Sequence, residues 1–203
     1  MISGCVFDFG GVMTTLSAPE RVRPLLGELG IPWDALLAGF AKYRRQMDAD
    51  GMTMDEMYAR TFADAGVSVT AEDRARIIAA DQASFLYRNE ATLAFMKTLK
   101  ERGFRLGILT NMCTGFARLF RRDFADFIAL ADAMVISGEE RLFKPQREIY
   151  DRLRERLELP AGEICFFDDA EANCEGARAA GWQAVRFTTT EAAAAEFERL
   201  LAR

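Results

Sequence analysis

The apolar positions divide the chain into three regimes. The opening run, ISGCVF, has the composition of a short buried strand and ends at Asp8. From about residue 18 to residue 87 the spacing becomes helical. Val22, Leu25, Leu26 and Leu29 lie on one helix that stops at Gly30, and Pro32 opens a second through Leu36, Leu37, Phe40 and Tyr43, ending near residues 49–51. Thr53 followed by Glu56 is a capping-box signature for a third helix, ending near Gly66. Thr70 is an N-cap for a fourth, which carries Ile77, Ile78 and Phe85. After Arg88, helices and strands alternate. A helix with Leu93, Met96 and Leu99 ends at Gly103, the strand FRLGILT follows, then a short helix around Phe116 and Phe120 and the strand AMVIS. A helix with Ile149, Leu153 and Leu157, the strand EICFFDD, the helix EANCEGARAAG, the strand WQAVRF and a closing helix complete the chain.

Strands separated by helices predict parallel βαβ units with right-handed crossovers. The expected fold is therefore α/β: a Rossmann-like open parallel sheet with helices on both faces and an inserted helical cap. Residues 1–16 and 88–203 are expected to form the core, and residues 17–87 the cap.

Composition narrows the chemistry. Half of the 203 residues are hydrophobic and 28% are charged, as expected of a folded soluble chain. The net charge of −5 disfavours nonspecific binding to nucleic acid or anionic membranes. No apolar run is long enough to span a bilayer, and the immediate entry into a strand predicts no signal segment, so a cytoplasmic location is expected. Cys5, Cys113, Cys165 and Cys174 include no CxxC pair and read as reduced, packed thiols. The absence of histidine excludes His-dependent triads, His metal sites and imidazole acid–base chemistry. Carboxylates, Lys, Thr or a metal must carry any catalysis.

Ligands of open parallel sheets bind beyond the carboxyl ends of the strands. The polar residues expected there are Asp8, Thr110 with Asn111, Asp168 with Asp169, and Lys144 in the loop after AMVIS. Each has an ordinary structural reading as a turn, a cap or a helix start. Two adjacent carboxylates repel unless a cation offsets them, and that favours a metal near Asp168 and Asp169.

The pieces VFDFGGV, ILTN, the KP of LFKPQREIY and FFDDAEANCEGARAAGW resemble the haloacid dehalogenase-like hydrolase superfamily. The resemblance covers the whole core, and the helical stretch occupies the place of that family's small helical cap. Within the superfamily the chain is most similar to sugar-phosphate phosphatases and to the N-terminal phosphatase domain of soluble epoxide hydrolases, chiefly through the FFDDxxxNxxGA pattern.

The resemblance implies a Mg2+-dependent phosphatase acting on a small phosphorylated metabolite such as a sugar phosphate. Asp8 would be the nucleophile that forms an aspartyl-phosphate. Asp8, Asp169 and the Gly10 carbonyl would bind Mg2+, with Asp168 acting directly or through a neighbour. Lys144, Thr110 and the backbone around Asn111 would hold the phosphoryl group, and Asn173 would orient the acidic pair. Gly10 departs from the pattern, because most phosphatases of this family carry there an Asp that protonates the leaving alcohol. Such help is worth ~10²–10⁴-fold, and the cap carboxylates Asp48, Asp50 and Asp55 are candidates to replace it.

Two alternatives remain open. A 2-haloacid dehalogenase needs no proton donor for halide, although Gly10 stands where that pattern has Tyr. A phosphate-binding regulatory protein would have lost turnover through Gly10. Arg44, Arg45 and Gln46 read as a solvated helix face that could instead meet a substrate group.

Overall fold

The computed structural model describes residues 1–15 and 18–202. The expected division between residues 16 and 17, and the end of the core at residue 203, therefore lie outside the described residues.

Five parallel strands, β1 (Gly4–Phe7), β2 (Arg105–Thr110), β3 (Ala133–Ile136), β4 (Ile164–Asp168) and β5 (Gln183–Arg186), form one sheet in the order β3-β2-β1-β4-β5. The central strand β1 alternates its side chains between two apolar layers, as the period of a strand requires. Val6 joins Leu109, Val135 and Phe166 beneath α9 (Arg147–Leu157) and α10 (Glu171–Ala179). Cys5 and Phe7 face the opposite layer, which contains α5 (Glu90–Glu101), α6 (Thr114–Asp123), α7 (Ala125–Leu130) and α11 (Thr190–Leu201). Burial on both faces explains why these strands read as continuous apolar runs. Phe7 stacks on Phe167 of the neighbouring strand with ring centroids 4.8 Å apart.

Between β1 and α5 lie α1 (Ala18–Glu28), α2 (Trp33–Asp48), α3 (Met54–Asp64) and α4 (Ala71–Ser84). α1 lies against α4 and α2 against α3. The second pair approaches closely at Gly39, where an added Cβ would come within 2.1 Å of the Thr61 hydroxyl. The expected caps are present: Thr53 and Glu56 close a reciprocal capping box on α3, and the Thr70 side chain accepts from the Asp73 N–H. Two connections running side by side join this helical unit to the sheet. The Thr15 N–H donates to the Tyr87 carbonyl and the Asn89 N–H to the Met13 carbonyl, each at 2.8 Å.

Three features differ from the sequence expectation. Phe9–Met13 coils into one wide turn with Gly11 at φ 73°. The six residues of α7 and the four of α8 (Ser137–Glu140) are also helical. These two helices are too short for apolar spacing to mark them. Among the described residues no helix is long and apolar enough to cross a membrane.

Candidate active site

The chain builds outward from β1 to β2 and β3, then crosses back to add β4 and β5. The switch point therefore falls between β1 and β4, where an open sheet leaves a crevice at its carboxyl edge. Asp8 stands there, one residue beyond β1, with its N–H bonded to the Phe167 carbonyl at 3.0 Å. Thr110 ends β2 on one side and Asp168 ends β4 on the other.

The Lys144 ammonium joins the two sides. Its Nζ lies 2.7 Å from Asp8 Oδ1 and 2.6 Å from Asp168 Oδ2, with only 3% of the residue exposed. Lys144 belongs to the loop after α8, and Asn111 fixes that loop from both sides. The Lys144 N–H donates to Asn111 Oδ1 at 2.8 Å, and Asn111 Nδ2 donates to the Lys144 carbonyl at 3.2 Å. The Asn111 side chain is thus committed to positioning the lysine. The Lys144–Pro145 peptide is cis, and α9 begins two residues beyond the proline, so this pair is not a simple helix start.

Asp168 is held as firmly. Its oxygens accept from Lys144, from the Ala170 N–H at 2.8 Å and from Asn173 Nδ2 at 3.0 and 3.1 Å. Asn173 is oriented in turn, because its carbonyl accepts from the Tyr150 hydroxyl at 2.8 Å. Its amide therefore orients Asp168 within the acidic pair. The glycine of the same segment has a packing reason: a Cβ on Gly176 would come within 2.6 Å of Pro145 Cβ.

Burial raises the Asp8 carboxyl to about 7; Lys144 pulls it back, while Asp168 adds to the rise. Burial opposes the charge on Lys144 as well, but Asp8 and then Asp168 more than offset it and hold the ammonium above its ordinary value. Burial followed by repulsion from Asp168 raises half-buried Asp169. Asp8, Asp168 and Asp169 each present a carboxylate oxygen, all within 4.8 Å of one another. That all-oxygen set suits a hard divalent cation such as Mg2+. The Asp169 carboxylate has only its own backbone N–H as a donor among the described residues, whereas Asp168 already serves three donors.

Above this rim is a cavity of about 210 Å³, below the ~300–1,000 Å³ of pockets for drug-sized ligands. Asp8, Gly10, Thr110, Asn111, Lys144 and Asp169 line its floor. Thr110 is 2% exposed, and its hydroxyl has no partner among the described residues. The opposite wall comes from the four-helix unit. Arg44, Met47 and Asp48 of α2 reach it, as do Asp81 and Gln82 of α4 and Phe85 just beyond α4.

Arg44 donates through Nε to both oxygens of Asp48 at 3.1 Å, and its guanidinium lies 5.6 Å from the Phe40 and Phe85 ring centres. It faces the cavity, in contrast to the solvated-face reading. Arg45 lies over Phe143, and Gln46 donates to the Gly51 carbonyl. Of the cap carboxylates named from sequence, only Asp48 lines this cavity. Asp50 accepts from the N–H and hydroxyl of Thr114 at the start of α6, and Asp55 pairs with Arg74. Cys113 is buried and burial raises its thiol, in keeping with a packed cysteine.

Sequence reasoning passed over Asp81, although its spacing is informative. It lies four residues after Ile77 and four before Phe85, on the apolar face of α4. A carboxylate in an apolar stripe is costly without a use or a partner.

The haloacid dehalogenase-like hydrolase family model matches residues 2–181. A phosphatase of Mycobacterium tuberculosis (strain CDC 1551 / Oshkosh) is 25% identical over 198 residues, covering 90% of this chain and 86% of its own. A HAD family enzyme of Bacteroides thetaiotaomicron, crystallised with magnesium and inorganic phosphate, superposes with a TM-score of 0.70 at 19% identity over 93% of this chain and 95% of that one. A dehalogenase with an intermediate complex superposes with a TM-score of 0.69 at 18% identity over 92% and 85% of the two chains. These structural likenesses speak for the fold and do not separate the two activities. With the family model spanning β1 to β4, the helical unit and all the rim residues, the chain belongs to the haloacid dehalogenase-like hydrolases.

Proposed function

We propose that this hydrolase is a Mg2+-dependent phosphatase of a small phosphorylated metabolite, working through an aspartyl-phosphate on Asp8. The observation that carries this reading is the environment of Asp8. It is a buried carboxylate held by Lys144 at 2.7 Å and grouped with Asp168 and Asp169 at the mouth of the crevice. A carboxylate attacks phosphorus only where positive charge and donors offset the phosphate's own charge.

Asp8, Asp169 and the Gly10 carbonyl would hold the metal, with Asp168 completing the acidic group. Bound there, Mg2+ supplies the charge that keeps Asp8 ionised and neutralises the phosphoryl oxygens. Asp8 attacks the phosphorus. Lys144 balances the Asp8 and Asp168 charges and faces the phosphoryl group, while the free Thr110 hydroxyl and the backbone N–H groups around Asn111 donate to its oxygens. Asn111 and Asn173 act by positioning Lys144 and Asp168. Residues 17–87 serve as the cap, and its wall receives the leaving group. The cavity volume fits one phosphoryl group with a small organic remainder. A phosphate dianion and this acidic rim also fit the M. tuberculosis phosphatase relationship better than dehalogenation, which calls for no metal.

The test is hydrolysis of p-nitrophenyl phosphate. Turnover should require Mg2+, disappear with EDTA and fall at least ~10³-fold in Asp8→Asn. Equal activity in that variant, or EDTA-resistant chloride release from a 2-chloroacid in place of phosphate release, overturns the reading.

A further inference from the structure

We propose that Asp81, carried by α4 in the helical unit, is the proton donor to the leaving-group oxygen and stands in for the side chain that Gly10 lacks. This rests on the phosphatase reading above. It begins with the space around Gly10. A Cβ placed there would meet only the Phe85 ring, at 3.9 Å, and the backbone has φ −68°, ordinary for any residue. The position where a residue-10 carboxylate would begin is therefore open, and its nearest cover is Phe85. Asp81 precedes Phe85 by one helical turn on the same face, and side chains so related lie ~5–6 Å apart at Cβ. Gly10 and Asp81 line the same small cavity.

Asp81 is also a carboxyl that closes no salt bridge among the described residues. It is 4% exposed, and the one hydroxyl that faces it is that of Tyr58, from α3. From α2, Arg44 attracts it, but the Arg44 Nε is turned onto Asp48, which is the other charge facing Asp81. Burial raises the Asp81 carboxyl, with Arg44 opposing, and a proton-bearing acid is what a leaving alkoxide needs. Asp48 lines the cavity too, but both its oxygens accept from Arg44, so it holds the guanidinium. A buried carboxyl that closes no ion pair and faces the reaction space is costly to keep unless chemistry uses it.

The proton balance closes. In the first step an Asp8 oxygen bonds to phosphorus as the P–O bond to the alcohol breaks. That electron pair stays on the leaving oxygen, which takes the Asp81 proton. In the second step the Asp81 carboxylate removes a proton from water while the water oxygen bonds to phosphorus and the Asp8–P bond breaks. Inorganic phosphate leaves, with Asp8 ionised and Asp81 protonated as at the start.

The experiment compares kcat/KM for p-nitrophenyl phosphate, whose leaving group needs no proton, with an alkyl phosphate such as glycerol phosphate. In Asp81→Asn the alkyl ester should lose about 10²-fold or more, and p-nitrophenyl phosphate less than about threefold. In the wild type the alkyl ester alone should show a fall in kcat/KM at high pH, and that limb should vanish in Asp81→Asn. Gly10→Asp should recover the alkyl ester in the Asp81→Asn background. Equal losses on both esters, no loss on the alkyl ester, no high-pH limb for that ester in the wild type, or no recovery overturns the proposal. The wild-type pH profile reads the proposal even if Asp81→Asn fails to fold. If p-nitrophenyl phosphate is turned over through Asp8 while these outcomes fail, Asp81 is refuted and the phosphatase reading stands. If no ester is turned over, both fall.

Discussion

The two walls of the cavity carry similar residue types and treat them differently. On the sheet side, Lys144 bridges Asp8 and Asp168, Asn111 clamps the Lys144 backbone, and Asn173 with the Ala170 N–H fixes Asp168. Every member is tied to an element of the five-stranded sheet or to α10, which packs beneath it. On the helical side, Arg44 grips Asp48 but is one-third exposed, and the buried Asp81 carboxyl closes no salt bridge among the described residues. On the phosphatase reading proposed above, the first wall has to be held in place, because chemistry at phosphorus tolerates little misplacement. The second reaches the sheet through two paired connections at Thr15–Tyr87 and Met13–Asn89 and through a few docking bonds. On the same reading the second wall receives the leaving group and can be rebuilt for another substrate without disturbing the first.

The sharpest way to break this contrast is to remove the central cation from each wall. Lys144→Ala leaves Asp8 and Asp168 buried without their common partner, and loss of one partner of a buried pair costs about 3–5 kcal/mol. Arg44→Ala should cost about 1–2 kcal/mol, because its carboxylates can take up protons and the guanidinium is partly solvated. Urea denaturation of both variants measures the difference, and equal losses would erase the distinction between the walls. Next in size is Asn173→Ala. It removes the amide from Asp168 and should weaken Mg2+ binding about 10–100-fold, read by calorimetry on the metal alone. A change below about twofold would show that Asp168 keeps its orientation without Asn173.

Smaller again is a pH effect confined to the sheet side. Burial raises Asp8 to about 7, so in the metal-free protein the native state holds a proton there that the unfolded chain has released. Between the unfolded value, near 3.8, and about 7, stability from this group therefore falls as pH rises. Mg2+ must displace the same proton. Its affinity should drop by up to about tenfold per pH unit below 7 and level off above, with proton release seen as a buffer-dependent binding enthalpy. A pH-independent affinity between 5.5 and 8 would place the Asp8 carboxyl far from this range.

The walls also differed in how legible they were from sequence. The strands were readable because burial on both faces makes them continuous apolar runs, and the open-sheet rule then located Asp8, Thr110, Asp168 and Lys144 at one edge. Caps at Thr53 and Thr70 were local signals and appear where they were expected. What sequence did not show was the direction in which polar side chains point. Asn111 reads equally well as a ligand or a clamp, and its side chain clamps. Arg44 and Asp81 depend on how four helices pack over the sheet, and no short-range pattern encodes that. The trace Asp81 left was its position in the Ile77–Phe85 stripe, which marks a buried carboxyl but not its use.

Thr53→Ala gives the smallest effect and tests whether the two walls are energetically separable. Thr53 accepts from the Glu56 N–H at 3.2 Å, and Glu56 accepts from the Thr53 N–H at 2.8 Å, so the substitution deletes half of a reciprocal cap at the start of α3. Loss of such a cap costs about 1 kcal/mol. That cost falls on the helical unit, because α3 packs on α2 and the capping residues are exposed. Melting should shift down by a few degrees, about 2–4 °C for a chain of this size. Hydrolysis of p-nitrophenyl phosphate should stay within about twofold, since the Lys144 and Asp168 contacts do not pass through α3. A parallel loss of turnover and stability would mean that the sheet-side network depends on the helices above it, and the independence of the two walls would have to be abandoned.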